Sequence, residues 1–233
     1  MEALTTIQKL IVFSLPILLA ITVHEAAHGW SASRLGDSTA KMLGRVTFNP
    51  FKHIDPIGTI AVPLILVILA KLTGTPLFLF GWAKPVPVNW RNLNNPRRDM
   101  ALVALAGPGA NLLMAVIWAL AIKVGGELYS VSQWVALPLI YMGGAGILIN
   151  LILMVLNLMP ILPLDGGRVL NSLLPARLSS QYMRLEPYGL IVIILLLMTG
   201  MLGRILWPLV DFFMGILPVP DVLIQRLITF LLM

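Results

Sequence analysis

An apolar run near the N-terminus carries Val23-His24-Glu25-Ala26-Ala27-His28. On a helix each residue advances about 100°, so His24 and His28 leave one face a turn apart, where two imidazoles can share a metal ion. Glu25 lies beside them, well placed to take a proton from a metal-bound water, which is the arrangement of a zinc hydrolase. Coincidence is the competing reading: with 3 His and 10 acidic residues in 233, the pattern arises by accident in roughly one such chain in several hundred to a thousand. The setting weighs against accident. An ionisable side chain at membrane depth costs at least about 2.5 to 3.5 kcal/mol by insertion scales, so three in one apolar helix require a compensating role.

Composition agrees with a membrane setting. The chain has 58% hydrophobic and 11% charged residues and a mean hydropathy of +0.92, too apolar for its polar surface to cover a core, so it reads as a multi-spanning membrane protein. Its 233 residues leave room for a handful of spanning helices and their loops, so residues 1–233 are expected to form one membrane-embedded domain. The net charge of +6 would suggest nucleic acid in a soluble chain. Here the basic residues lie between apolar runs, as topology determinants and lipid-headgroup contacts, and no nucleic-acid partner is expected. Without cysteine there is no disulfide and no thiolate ligand, which leaves His and carboxylate to hold a metal. Leu10 to Val23 resembles the apolar part of a signal peptide, with Ser31-Ala32-Ser33 as small residues for cleavage. The apolar run nevertheless continues past the polar motif to Leu35, and cleavage would discard the cluster, so a retained first helix is expected.

The elements that must position the cluster follow from the apolar runs. Ile7 to Leu35 makes a helix of about 43 Å, with His24 about 16 Å from its C-terminal end. A basic, turn-rich loop follows, with Arg34, Lys41, Arg45 and Lys52 among Gly44, Asn49, Pro50 and Pro56, and a short strand is expected around Arg45-Val46-Thr47-Phe48. Ile57 to Leu72 is apolar but interrupted by Gly58 and Pro63, and a second Pro-rich, basic stretch runs from Lys84 to Arg98. Met100 to Val124 reads as a spanning helix. Its Gly107-Pro108-Gly109-Ala110-Asn111 is a packing motif in which small residues permit close approach and Asn111 can donate and accept across the contact. After a short loop at Gly125, Gly126 and Glu127, another apolar stretch runs from Gln133 to Met159 and breaks at Pro160 and Pro163, just before Leu164-Asp165-Gly166-Gly167-Arg168. A short helix from Val169 to Arg184 and a spanning run from Tyr188 to Leu202 come next. The tail at about 205–233, broken by Pro208, Pro218 and Pro220, is expected as a peripheral helical segment that crosses the bilayer or lies at its interface. The fold class is therefore all-α and polytopic, with about five to six membrane helices and a re-entrant or strand-like segment after the first.

Charge placement tests this topology. Three loops hold most of the positive charge, Arg34 to Lys52, Lys84 to Arg98 and Arg168 to Arg184, and the positive-inside tendency puts all three on the cytoplasmic side. A simple crossing by Ile57 to Leu72 would separate the first two, whereas an excursion by Ile57 to Phe80 that returns near Gly74 keeps them together. Asp165 then lies on the same side as the C-terminal half of the first helix and can approach His24 and His28 as a third ligand, with Pro160, Pro163 and Gly166-Gly167 unwinding the backbone to aim it. The competing role for Asp165 is to cap the following helix.

These residues resemble the site-2 protease family of intramembrane zinc metalloproteases. Three ordered signatures carry the resemblance: His24-Glu25-Ala26-Ala27-His28, Gly107-Pro108-Gly109-Ala110-Asn111, and Asn157-Leu158-Met159-Pro160 through Asp165-Gly166-Gly167. It covers about residues 10 to 200. It implies one Zn2+ per chain bound by His24, His28 and Asp165, Glu25 as general base, and Asn157 contacting the substrate or steadying the reacting carbonyl. It also implies a single-pass membrane-protein substrate cut near its cytoplasmic end, and a place in the cytoplasmic membrane with the active site toward the cytoplasm. The chain has room for neither a PDZ insertion nor a nucleotide-sensing module. It is similar to the short, core-only branch, in which Asn49-Pro50 to Pro56 and the Ala83 to Val88 run recur.

Two other readings use the same residues. A metal-ion or proton-coupled transporter would use the His and carboxylate groups as a transit site, but such proteins usually show repeats and polar groups along a path. Here the polar groups collect at one depth and no repeat is visible. An inactive scaffold would not need Glu25. The remaining histidine, His53, lies in a loop next to Asp55 and reads as structural rather than as a further ligand.

Overall fold

The first helix starts where Thr5 closes a capping box with Gln8: the Gln8 amide N–H reaches the Thr5 hydroxyl, and the Gln8 side chain accepts from the Thr5 amide at 2.9 Å. From there α1 runs over Thr6–Arg34 with Pro16 accommodated inside it, in a computed structural model that describes residues 4–62, 64, 65, 68, 72 and 84–232. The short α2, Thr39–Met42, follows; Pro56–Ala61 is wound as a π-helix; and Trp90–Asn92 forms a 3-10 turn. Two long antiparallel helices come next, α3 over Pro96–Leu128 and α4 over Gln133–Asn157. Pro96 opens α3, where its missing N–H is harmless, and Asp99 in the first turn accepts from the Asn95 amide at 2.7 Å. Shorter helices complete the chain: α5 (Asp165–Leu173), α6 (Ala176–Met183), α7 (Gly189–Met198), α8 (Met201–Ile216) and α9 (Asp221–Leu232).

The all-helical class expected from the sequence is observed, with no strand among the described residues. Among the described residues, four segments are long and apolar enough to cross a membrane, Ile7–Arg34, Pro96–Leu128, Gln133–Asn157 and Ala176–Met198. Large apolar side chains face outward along them, such as Leu10, Ile11, Leu113, Ile191 and Leu195, as lipid requires and water would penalise. In such a setting, packing rather than the hydrophobic effect holds helices together, and small residues allow close contact. A Cβ on Gly146 would lie 2.3 Å from the Trp118 ring and one on Gly143 would lie 2.5 Å from Ile122, so α3 and α4 meet almost backbone to side chain. Around this contact Ile147, Leu151, Val210, Met214, Ile224 and Leu227 form the main core, drawing in α8 and α9. The tail is thus helical and contributes to the core.

Four local expectations are corrected. Arg45 to Phe48 is a succession of bends, not a strand, because no strand among the described residues pairs with it and the Arg45 amide turns back to the Ala40 carbonyl. Gly125 to Glu127 stays inside α3, and the reversal falls at Tyr129 to Ser132. The Tyr188 to Leu202 run is interrupted at Gly200, whose φ of 70° ends one helix and starts the next. Pro208 does not break α8, since neighbouring helices can compensate for the lost bond. The bend expected near Gly74 and most of the Ile57 to Phe80 excursion lie outside the described residues. Its flanks are described: the Lys84 amide donates to the His53 carbonyl at 2.9 Å and the Asn94 amide to the Leu35 carbonyl at 2.8 Å. The chain that leaves α1 therefore returns to the same end of the bundle before α3 begins.

Candidate active site

His24 and His28, one turn apart on α1, turn their Nε2 atoms toward each other at 3.0 Å, and the Asp165 Oδ2 lies 3.3 Å from each. Asp165 arrives from the junction after α4 as the first residue of α5, and Leu164 rather than Asp165 holds the N-cap position. Both imidazoles are buried.

Their protonation follows from their partners. The His28 Nδ1 lies 2.7 Å from the Val103 carbonyl, which can only accept, so that nitrogen carries the proton. The His24 Nδ1 faces the Asn111 Oδ1 at 2.6 Å, while the Asn111 Nδ2 donates to the Ala20 carbonyl at 3.3 Å and to the Asn150 Oδ1 at 2.9 Å. That assignment makes the His24 Nδ1 a donor too. In the neutral rings, then, both Nε2 atoms present lone pairs to one another and to a carboxylate oxygen that has no hydrogen-bond donor. Three converging acceptors in a buried site call for a cation between them.

The donor set fits zinc. At zinc–ligand distances near 2.0 to 2.2 Å, two corners of a tetrahedron lie about 3.3 Å apart, and the observed separations are 3.0, 3.3 and 3.3 Å. The cradle is also shaped for it. Gly107 of α3 backs onto both rings so closely that a Cβ there would lie 2.4 Å from the His28 Nε2. Burial alone would raise the Asp165 carboxyl; when the His24 and His28 rings are protonated they donate to it, outweigh burial and hold it down to about 2.

Glu25 lines the same cavity, of about 340 Å³, together with Val86, Val88, Trp90, Val103, Asn157 and Arg168. Its Oε2 accepts from the Val86 amide at 2.7 Å. Val86 belongs to a strap, residues 84–89, that is in neither helix nor strand. Arg45 donates to the Lys84 carbonyl at 2.8 Å, and the Asn89 amide donates to Asp37 at 2.7 Å, so the strap is fixed at both ends. Asn157, at the end of α4, donates to the Leu153 carbonyl at 2.9 Å and keeps a second N–H on its amide. His53 is buried and bonds through Nε2 to the Thr47 carbonyl at 3.0 Å, as a structural residue of the loop.

His24, Glu25, His28, Asp165 and Asn157, all expected from the sequence, line one cavity. Asn111 reads in the sequence as a packing residue but bonds to His24, and Asn150, Val103 and Val86 were not expected at the site. Asn150 had a signal, a lone amide inside an apolar helix; the backbone groups of Val103 and Val86 had none.

The family model described as Peptidase family M50 matches residues 123–200, which include Asn157 and Asp165. A Bacillus subtilis (strain 168) protein named "Putative zinc metalloprotease YwhC" is 37% identical over 197 residues, 84% of this chain and 84% of that protein. The chain belongs to peptidase family M50, the site-2 proteases. A second M50 relative, "Putative zinc metalloprotease Rip2" of Mycolicibacterium smegmatis (strain ATCC 700084 / mc(2)155), is 28% identical over 200 residues, 84% of this chain and 70% of that protein. No solved structure matches the chain. As an M50 zinc metalloprotease it is an integral membrane hydrolase with Zn2+ as cofactor, and the transporter reading is not favoured.

Proposed function

We propose that this M50 peptidase cuts a peptide bond in or near the transmembrane segment of a single-pass membrane protein, with His24, His28 and Asp165 as the zinc ligands. The observation that carries the ligand assignment is the meeting of three acceptor atoms at 3.0 to 3.3 Å with both imidazole protons directed away. Zinc supplies Lewis acidity there, acidifying water and polarising a carbonyl. Glu25 takes the proton of the attacking water and hands it to the leaving amine. The spare N–H of Asn157 bonds to the carbonyl oxygen as it gains charge, a contribution of about 2.7 to 4 kcal/mol for one donor in comparable sites. A helical segment hides its carbonyls, so the substrate unwinds and lies along residues 84–89 as an added strand. Val86, Val88, Trp90 and Val103 offer its apolar side chains a matching wall.

The site opens toward the end where the basic loops meet. Arg45 bonds to Lys84, Arg97 to the Leu174 carbonyl, and Arg168 stacks 5.2 Å from the Trp90 ring centroid. By the positive-inside tendency that end faces the cytoplasm, in a cytoplasmic membrane. The whole chain acts as one membrane-embedded domain. The deciding experiment compares wild type with Glu25→Gln for zinc content and for cleavage of a labelled transmembrane peptide. Retained zinc with lost cleavage is expected; undiminished cleavage removes Glu25 as the base.

A further inference from the structure

Both metal-facing nitrogens must be free of protons, yet an imidazole has two tautomers of similar energy, and the structure fixes His24 through an amide that could itself point either way. If Asn111 were turned over, its NH2 would face the His24 Nδ1. That would favour the tautomer with the proton on Nε2, the nitrogen aimed at His28 and Asp165. The Ala20 carbonyl resists the turn only through a long contact of 3.3 Å. The shorter restraint comes from Asn150 on α4, whose Oδ1 accepts from the Asn111 Nδ2 at 2.9 Å.

Asn150 is in turn held by the Gly146 carbonyl, to which its Nδ2 donates at 2.8 Å. A backbone carbonyl cannot donate, so it gives the series one direction. The Asn150 amide must give its N–H to Gly146 and offer its oxygen to Asn111. Asn111 must then offer its oxygen to His24, and His24 must carry its proton on Nδ1. Asn111 and Asn150 are both fully buried, so no water competes with these bonds. A packing role alone would be met at Asn150 by an apolar side chain, which suits the helix better; leucine keeps the same skeleton branched at Cγ, though it is the larger residue.

We propose that Asn150 is a positioning residue of the zinc site, setting the His24 tautomer through Asn111 without touching the metal. This rests on His24 being a ligand. The test uses the full-length chain in detergent, as wild type, Asn150→Leu and Asn150→Asp. Nitrogen NMR of histidine-labelled apoprotein reads the tautomers, and competition with a chelating indicator reads zinc affinity. In Asn150→Leu, part of the His24 population should shift its proton to Nε2 and zinc affinity should fall about tenfold, the low end of the range for outer-shell partners. A protonated aspartic acid can donate to Gly146 and accept from Asn111, so Asn150→Asp should restore both readouts. Wild-type tautomer and affinity in Asn150→Leu, or equal loss in both variants, overturns the proposal. A tautomer shift in a protein whose wild type fails to bind zinc would sustain the relay and remove the ligand assignment instead.

Discussion

The close backing of the proposed zinc site by Gly107 makes a sharp prediction for Gly107→Ala. One methyl group is added to a helix interior, a position where alanine is otherwise the better helix former. Its carbon would lie 2.4 Å from the His28 Nε2, 2.6 Å from the His28 Cε1 and 2.6 Å from the His24 Cε1. Relaxing such contacts to about 3.5 Å needs a displacement on the order of 1 Å. Catalytic constellations tolerate only about 0.5 Å, and the donor separations of 3.0 to 3.3 Å leave no slack around a tetrahedral ion. Zinc affinity should therefore fall at least about tenfold, as for lost supporting contacts. Cleavage should fall about a hundredfold from misplacement alone. Overpacking costs about 1 to 3 kcal/mol, so the protein should still fold, with a lowered melting temperature in detergent. Gly109→Ala is the control, because a Cβ at Gly109 meets nothing within 4 Å. Zinc titration and peptide cleavage on both variants decide the matter. A Gly107→Ala protein that binds zinc and cleaves like Gly109→Ala would refute the reasoning.

Other perturbations separate the supporting contacts. Val86→Pro removes the N–H that holds the Glu25 carboxylate; cleavage should fall at least on the order of tenfold at unchanged zinc content, since proton transfer and the strap are disturbed while the three acceptors around the ion are not. Wild-type cleavage would show that Glu25 does not need the strap. Asp37 is fully buried; burial alone would raise its carboxyl, but bonds from Thr39, Asn89 and Asn92 outweigh it and hold it below its usual value. A depressed carboxyl contributes stability above its unfolded value and loses it as pH falls through the folded value, so this contribution should disappear below about pH 4. Melting temperature measured against pH should fall less steeply on the acid side in Asp37→Asn than in wild type, and equal slopes would contradict the assignment.

Much of this site was legible because membrane depth makes polar residues informative. His24, Glu25, His28 and Asp165 stand out from apolar sequence, and the basic loops alone brought the last of them to the right end. Helix boundaries were less legible, since Pro208 and Gly125-Gly126 are breakers in water but are tolerated where neighbouring helices satisfy the backbone. Backbone partners were not legible at all. That Val86 holds Glu25 and Val103 holds His28 depends on which amide or carbonyl a fold brings near, and any side chain supplies the same atoms. Asn111 falls between the two cases: its motif was visible, but its bond to His24 required knowing the rotation of α3 about its axis.

The atoms proposed to hold zinc are shared between the first helix and a junction far down the chain. A chain inserted only as far as α3 has the two imidazoles and Glu25 but lacks the Asp165 carboxylate. The three-acceptor cluster is therefore complete only once the chain beyond α4 has packed beside α1.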